Sequence, residues 1–223
     1  MATPKRVLIV VTSHDRVDAT HPTGLWFEEF ATPYKEFLDQ GFEITVVSPR
    51  GGSVPIDPQS EPKAEEAEQM VQVRDVLRHT QALSEVDATG FDAIFLPGGH
   101  GAMFDFPENT TLQHVLANFA NEDKVIAAVC HGPAGFVGVR LADGTPLVAG
   151  KTITAFTDDE ERAVKLDTSM PFLLESRLRE LGGHLVVQPN WSDHVERDGK
   201  LITGQNPQSS GSIARAVIEV LQG

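Results

Sequence analysis

Six short runs rich in valine, isoleucine and other apolar residues alternate along this chain with segments of helical pattern, and that alternation constrains the fold more than any other feature. The runs are RVLIVV (6–11), FEITVVS (42–48), FDAIFLPG (91–98), KVIAAVC (124–130), KTITAF (151–156) and GHLVVQ (183–188). Strands apolar on both faces belong in a mostly parallel sheet that helices cover on both sides. The intervening segments predict helices near 24–39, 71–86, 108–120, 132–139, 171–181 and 208–221. In TLQHVLANFA, for example, Leu112, Val115, Leu116 and Phe119 share one face. HVERDGKLITG (194–204) predicts a hairpin turning at Asp198 and Gly199, added to a sheet edge. The expectation is a single α/β domain over residues 1–223: flavodoxin-like, doubly wound, mostly parallel, with helices on both faces and a small edge hairpin. In such folds ligands bind at the carboxyl ends of strands.

Charge narrows the partners. A formal net charge of −14 opposes binding to phosphate backbones or anionic membranes, and no basic stripe with interleaved aromatics is present. The expectation is no nucleic acid and no membrane partner. The apolar run Val7–Val11 is too short for a signal-peptide core or a membrane span. With one cysteine no intramolecular disulfide can form, which fits a reducing cytoplasm. The acidic EPKAEEAE segment (61–68) reads as a solvated helix face or loop.

That cysteine, Cys130, ends the buried run VIAAV and is followed by His131, Gly132 and Pro133. Proline suits a first helical turn and glycine permits close backbone approach, so the sequence predicts strand, sharp turn, helix. A sulfur at a helix N-terminus has its pKa lowered and becomes a better nucleophile. Taken alone, Cys130 is equally explained as a small apolar residue closing a strand. His131 is either a helix-cap residue or a general base, and a neighbour in sequence reaches the thiol only across an unusually bent backbone.

Two further segments bear on the same strand ends. LPGGHGAMFDFP (96–107) places three glycines around His100; it reads as a tight turn, or as backbone N–H groups facing a ligand. It matches neither GxGxxG nor a Walker lysine pattern, so it gives nucleotide binding little support. In GLWFEEFATPYKEF (24–37), Glu29 shares a face with Leu25, Trp26 and Pro33, whereas Glu28 points about 100° away. Pressed against apolar neighbours, Glu29 is expected to hold its proton at neutral pH and to hydrogen-bond the cysteine sulfur. Pro33 predicts a kink or a helix start.

Together TGLWFEEFATPY, LPGGHGAMFDFP, AAVCHGP, GKTITAFTDDEE and ITGQNPQSS resemble the ThiJ/PfpI superfamily, and more closely its small heat-shock-chaperone and glyoxalase III branch. The resemblance runs from the first strand to the last helix. It implies that Cys130 is the nucleophile, His131 its adjacent histidine and Glu29 the buried glutamate on the sulfur. Gly99 and the His131 N–H correspond to the oxyanion pocket. The acid that orients the histidine falls in FTDDEE, with Glu161 favoured over Glu160. His14, His21 and His100 lack convincing metal-ligand spacing. The resemblance therefore implies a cofactor-independent, cysteine-dependent lyase of the glyoxalase III or D-lactate dehydratase type, with no metal, acting on a small dicarbonyl in the cytoplasm, commonly as a homodimer. Competing readings within the same family are a stress-response chaperone or redox sensor, a peptidase and a protein deglycase.

Overall fold

A computed structural model describes residues 3–63 and 70–223, so most of the 61–68 segment lies outside the described residues. The strands are β1 (Arg6–Val10), β2 (Glu43–Ser48), β3 (Gln81–Ala82), β4 (Ala93–Leu96), β5 (Val125–Val129), β6 (Thr152–Ile153), β7 (His184–Leu185), β8 (Val195–Asp198) and β9 (Leu201–Gly204). Seven of them form one sheet in the order β3-β2-β1-β4-β5-β9-β8. Every pairing in it is parallel except β8 with β9. The chain winds outward from β1 through β2 and β3, then crosses to β4 on the other side. The reversal at β1/β4 opens a crevice at their carboxyl ends.

The alternation of side chains along each strand builds two cores. Val7, Ile9, Phe95, Ala127 and Val129 face α1 (Phe27–Asp39) and the C-terminal helix (Ser210–Gln222), meeting Phe30, Phe37, Ile213 and Val217. Leu8, Val10, Ile94, Leu96 and Ile126 face the opposite layer, where Leu112, Leu116 and Phe119 of the Thr110–Asn121 helix and Leu178 of the Leu174–Glu180 helix complete the packing. The Asn109 side chain caps the first of these by accepting from Leu112 N at 3.0 Å. The α/β architecture with helices on both faces thus follows the predicted pattern.

Four local expectations are corrected. KTITAF and GHLVVQ do not join the main sheet; β6 and β7 pair with each other as a separate ribbon. The edge of β5 they would have used is taken by the predicted hairpin, whose strands β9 and β8 pair antiparallel as the outermost two of the sheet. KTITAF is held beside it by side chains, Thr154 N donating to Thr203 Oγ1 (2.8 Å) and Thr152 N to Asp198 Oδ2 (2.9 Å). Residues 132–139 form a short 3₁₀ turn, Gly132–Phe136, in place of an α-helix. Two glycines and a proline in five residues disfavour the α form. In 71–86 only Val71–Val76 is α-helical; beyond it Thr80 N turns back to Gly52 O (3.0 Å), leading into β3. Finally, α1 starts at Phe27 and runs through Pro33, so the proline does not begin the helix.

Candidate active site

Cys130 leaves β5 with φ of +59°, a left-handed conformation that costs a non-glycine residue about 1–3 kcal/mol. The Cys130 N–H donates to Gly204 O on β9 (3.0 Å) and its carbonyl accepts from Phe156 N (2.9 Å), fixing the turn from both sides. This is the sharply bent backbone that adjacent residues need: His131 Nδ1 lies 3.3 Å from Cys130 Sγ. On the far side of the ring, His131 Nε2 is 2.7 Å from Glu161 Oε2. Cys130, His131 and Glu161 are all buried.

Glu161 belongs to the short helix Asp158–Ala163, whose capping box joins Thr157 and Glu160. The two adjacent glutamates diverge. Glu160 Oε1 accepts from Trp191 N (2.8 Å), Asn206 Nδ2 (2.8 Å) and Gln205 Nε2 (3.2 Å), and Oε2 from Thr157 N (3.0 Å). Glu161 instead faces two imidazoles, because His100 Nε2 also lies 2.8 Å from its Oε1. Burial acts to raise the Glu161 carboxyl, but the His131 charge interaction and hydrogen bonds from His100 and His131 outweigh it, pulling it down to about 2. An ionised carboxylate only accepts, so both Nε2 atoms are donors. Burial, then His100, hold the His131 pKa below its ordinary value. A neutral ring with Nε2–H on Glu161 presents its Nδ1 lone pair to the thiol.

Glu29 reaches the sulfur from α1. Its Oε2 accepts from Gly98 N at 2.7 Å, and the carboxyl interacts with the Cys130 thiol. A Cβ on Gly98 would meet His131 N, Val129 O and Glu29 Oε2, so glycine is what lets the loop approach this closely. Burial, with a smaller push from Glu28, raises the Glu29 carboxyl to about 8, against opposing interactions with Cys130 and Gly98. The protonated Glu29 expected from the sequence is therefore supported. The thiol differs from expectation. Burial first, then the Glu29 charge and hydrogen bond, push Cys130 well above its ordinary value, and an N–H interaction from Gly99 only partly opposes this. The five-residue 3₁₀ turn is too short a dipole to reverse the cost of taking a thiolate out of water.

Gly99 sits at φ of +92°, and a Cβ there would run into Gly24 O and Trp26 N. Neither its N–H nor that of His131 is bonded to a backbone carbonyl among the described residues. Gly99, His100, Cys130 and His131 line one cavity of about 470 Å³, a volume suited to a small molecule, with Trp26, Phe156 and Trp191 on its walls. Glu29 is not among the residues that line it. Of the other histidines, His14 stacks on Phe104 (4.7 Å between ring centroids). His21 lines the cavity and pairs with Asp18 (2.7 Å).

His100 is the site residue that sequence reasoning passed over; its only sequence signal is its place among the glycines of 96–107. Among the described residues His100, His131 and Glu161 are the three whose donor atoms, within 4.8 Å of one another, could in type hold a metal ion. Their 2.7–2.8 Å separations are hydrogen-bond distances, shorter than the roughly 3.3 Å expected between tetrahedral ligands with metal–nitrogen bonds near 2.0–2.1 Å. No helix among the described residues is long and apolar enough to cross a membrane.

A profile of the DJ-1/PfpI family matches residues 24–220. The chain is 32% identical to the glutathione-independent glyoxalase HSP31 of Saccharomyces cerevisiae, over 98% of this chain and 99% of that protein. Among solved structures, glyoxalase III from Candida albicans superposes with a TM-score of 0.88 at 29% identity, covering 97% of both chains. The Rapid Encystment Protein 24 KDa from Francisella tularensis superposes with a TM-score of 0.93 at 35% identity, covering 97% of this chain and 99% of that one.

Proposed function

We propose, from the premise that the chain belongs to the DJ-1/PfpI family, that it is a glutathione-independent glyoxalase converting methylglyoxal and water to lactate. The observation that carries this reading is the chain of contacts Cys130 Sγ to His131 Nδ1 (3.3 Å) and His131 Nε2 to Glu161 (2.7 Å) opening on a cavity of about 470 Å³. Relatives named as glyoxalases align over nearly the whole chain.

In the reaction, Cys130 Sγ forms a bond to the aldehyde carbon as His131 Nδ1 takes the thiol proton and delivers it to the new oxygen, giving a neutral hemithioacetal. Proton removal thus accompanies addition, and a resting thiolate is not needed. The backbone N–H groups of Gly99 and His131 receive the oxygen. His131 then removes the proton from that carbon and returns it to the neighbouring carbon through an enediol, while Glu161 stabilises the imidazolium. The product is a lactoyl thioester, which water cleaves to release lactate and regenerate the thiol. Glu29, buried and outside the cavity wall, acts on the thiol and not on the substrate carbons. No glutathione, nicotinamide or metal takes part in these steps.

Purified protein incubated with methylglyoxal is expected to form lactate, and Cys130→Ala to form none. Equal turnover by the two would overturn the reading.

A further inference from the structure

We propose that His100 is a second catalytic histidine, which carries the proton that must pass between the two substrate oxygens. The inference rests on the glyoxalase reading above and assigns a step that the Cys130, His131 and Glu161 contacts leave unserved.

The isomerisation of a hemithioacetal to a thioester moves two protons. One leaves the carbon bonded to sulfur and arrives on the neighbouring carbon, which His131 accomplishes. The other leaves the hydroxyl oxygen on the sulfur-bearing carbon and arrives on what was the ketone oxygen. A single imidazole that is holding the carbon proton has no lone pair left for the oxygen proton. A second acceptor that can also donate is therefore required within reach of both oxygens, which lie side by side in a cis-enediol.

Glu29 does not meet the requirement, since it is fully buried and is absent from the cavity wall. Asp57 lines the cavity but is engaged by Thr23 Oγ1 (2.7 Å) and Gln59 N (2.9 Å). His21, also on the wall, is solvent-exposed and paired with Asp18. Lys165 is an exposed wall residue. His100 is the group beside the chemistry: its ring centroid is 4.3 Å from that of His131. Its Nε2 is held by Glu161 Oε1 at 2.8 Å. The carboxylate acceptor fixes the tautomer with hydrogen on Nε2 and leaves Nδ1 as a lone pair. Nδ1 has no hydrogen-bond partner among the described residues and is not a buried unpartnered atom, so it opens on the cavity that His100 lines.

The two histidines thus present the same arrangement twice, each with Nε2–H on one oxygen of a shared carboxylate and Nδ1 directed inward. In the proposed step, His100 Nδ1 accepts the proton of the hydroxyl oxygen and passes it to the former ketone oxygen, which gains negative charge as His131 removes the carbon proton; the resulting enediolate collapses to the thioester as His131 returns its proton to the neighbouring carbon. The electron pair of the first O–H bond becomes the thioester C=O, the former ketone C=O becomes the product C–OH, and His100 ends as it began. The balance is internal and calls for no oxidant, reductant or added co-reactant.

The test uses wild type, His100→Gln and His100→Ala with methylglyoxal, reading lactate formation and, by intact mass, the adduct on Cys130. The expected result is that His100→Gln folds and forms the adduct at the wild-type rate, but makes lactate about 10²–10⁴-fold more slowly. The adduct should accumulate, and added imidazole should restore part of the His100→Ala rate. Lactate formation by His100→Gln at the wild-type rate would overturn the proposal and leave the glyoxalase reading standing. Parallel loss of adduct and lactate in both variants, without imidazole rescue, would also overturn it, reducing His100 to a support for Glu161. Absence of lactate from the wild type would remove the glyoxalase reading itself and this step with it.

Discussion

Glu29 and Cys130 interact in the buried interior beside the active-site cavity, where burial opposes ionisation of both and the Glu29 charge further raises the cost of ionising the thiol. Burial is the leading cause of both shifts, upward to about 8 for the carboxyl and well above the ordinary value for the thiol. At neutral pH the pair therefore holds both protons, and the negative charge of the site resides on Glu161.

The first consequence is a pH-dependent stability. The Glu29 carboxyl has an ordinary value of 4.5 and reaches about 8 in the fold, so between those limits the folded chain keeps a proton that the unfolded chain has released. Its contribution is fully present below pH 4.5 and is lost as pH rises through 8. Wild type is expected to lose on the order of a few kcal/mol relative to Glu29→Gln across that interval. Urea unfolding of both proteins at pH 5 and pH 8.5 measures it, and parallel curves would contradict it.

A second consequence concerns thiol reactivity. Because the Glu29 charge is one of the causes holding Cys130 up, Glu29→Gln should bring the pH midpoint of alkylation by iodoacetamide down from its wild-type position. The wild-type midpoint itself is expected above the ordinary thiol value near 8.5. A wild-type midpoint near neutrality would contradict the burial argument.

The adjacent glutamates give a contrast that composition does not suggest. Glu161→Gln removes the charge both imidazoles lean on and is expected to lower kcat by about 10²–10⁴-fold, as for loss of general acid–base assistance. Glu160→Gln leaves the imidazoles their carboxylate but weakens the contacts to Trp191, Gln205 and Asn206, costing about 1–3 kcal/mol of stability. Lactate assays paired with thermal unfolding separate the two effects; similar profiles for both variants would refute the division.

Chelator treatment tests the hydrogen-bonded reading of His100, His131 and Glu161. Turnover is expected to survive dialysis against EDTA, and excess zinc is expected to inhibit by drawing the two imidazoles away from their proton-transfer roles. Loss of activity on chelation with recovery on adding zinc would reassign the three residues as ligands.

Much of this was legible in residue order. The alternation of apolar runs carried β1, β2, β4 and β5 of the main sheet but not the two-residue β3, which lies where a helix was expected, and Glu29 was legible because helical spacing set it among apolar neighbours. The elbow at Cys130 followed from a glycine and a proline immediately after a buried strand. The resemblance singled out Glu161, which local pattern alone does not separate from Glu160. Less was readable where distant segments decide the outcome. KTITAF and GHLVVQ carry strand-forming residues, yet the edge of β5 is taken by β9, from some 70 residues further along. His100 has no spacing relationship to Glu161, 61 residues away, and only the closing of the strand ends brings them together. The thiol was misjudged because a turn that reads as a helix start lends little dipole when it is only five residues of 3₁₀ form.

The divergence of Glu160 and Glu161 on one short helix also sets what lineages of this chain can vary. Successive positions on a helix are rotated by about 100°, so one carboxylate serves the histidines and its neighbour anchors the C-terminal third of the molecule. Exchange of side chains at exposed Asp159 leaves this division intact. Gain of a single residue between Phe156 and Glu160 would instead carry Glu160 into the histidine-facing position, and loss of one would bring Arg162 there, so the length of this stretch should stay fixed, along with the Thr157 cap, while Asp159 varies.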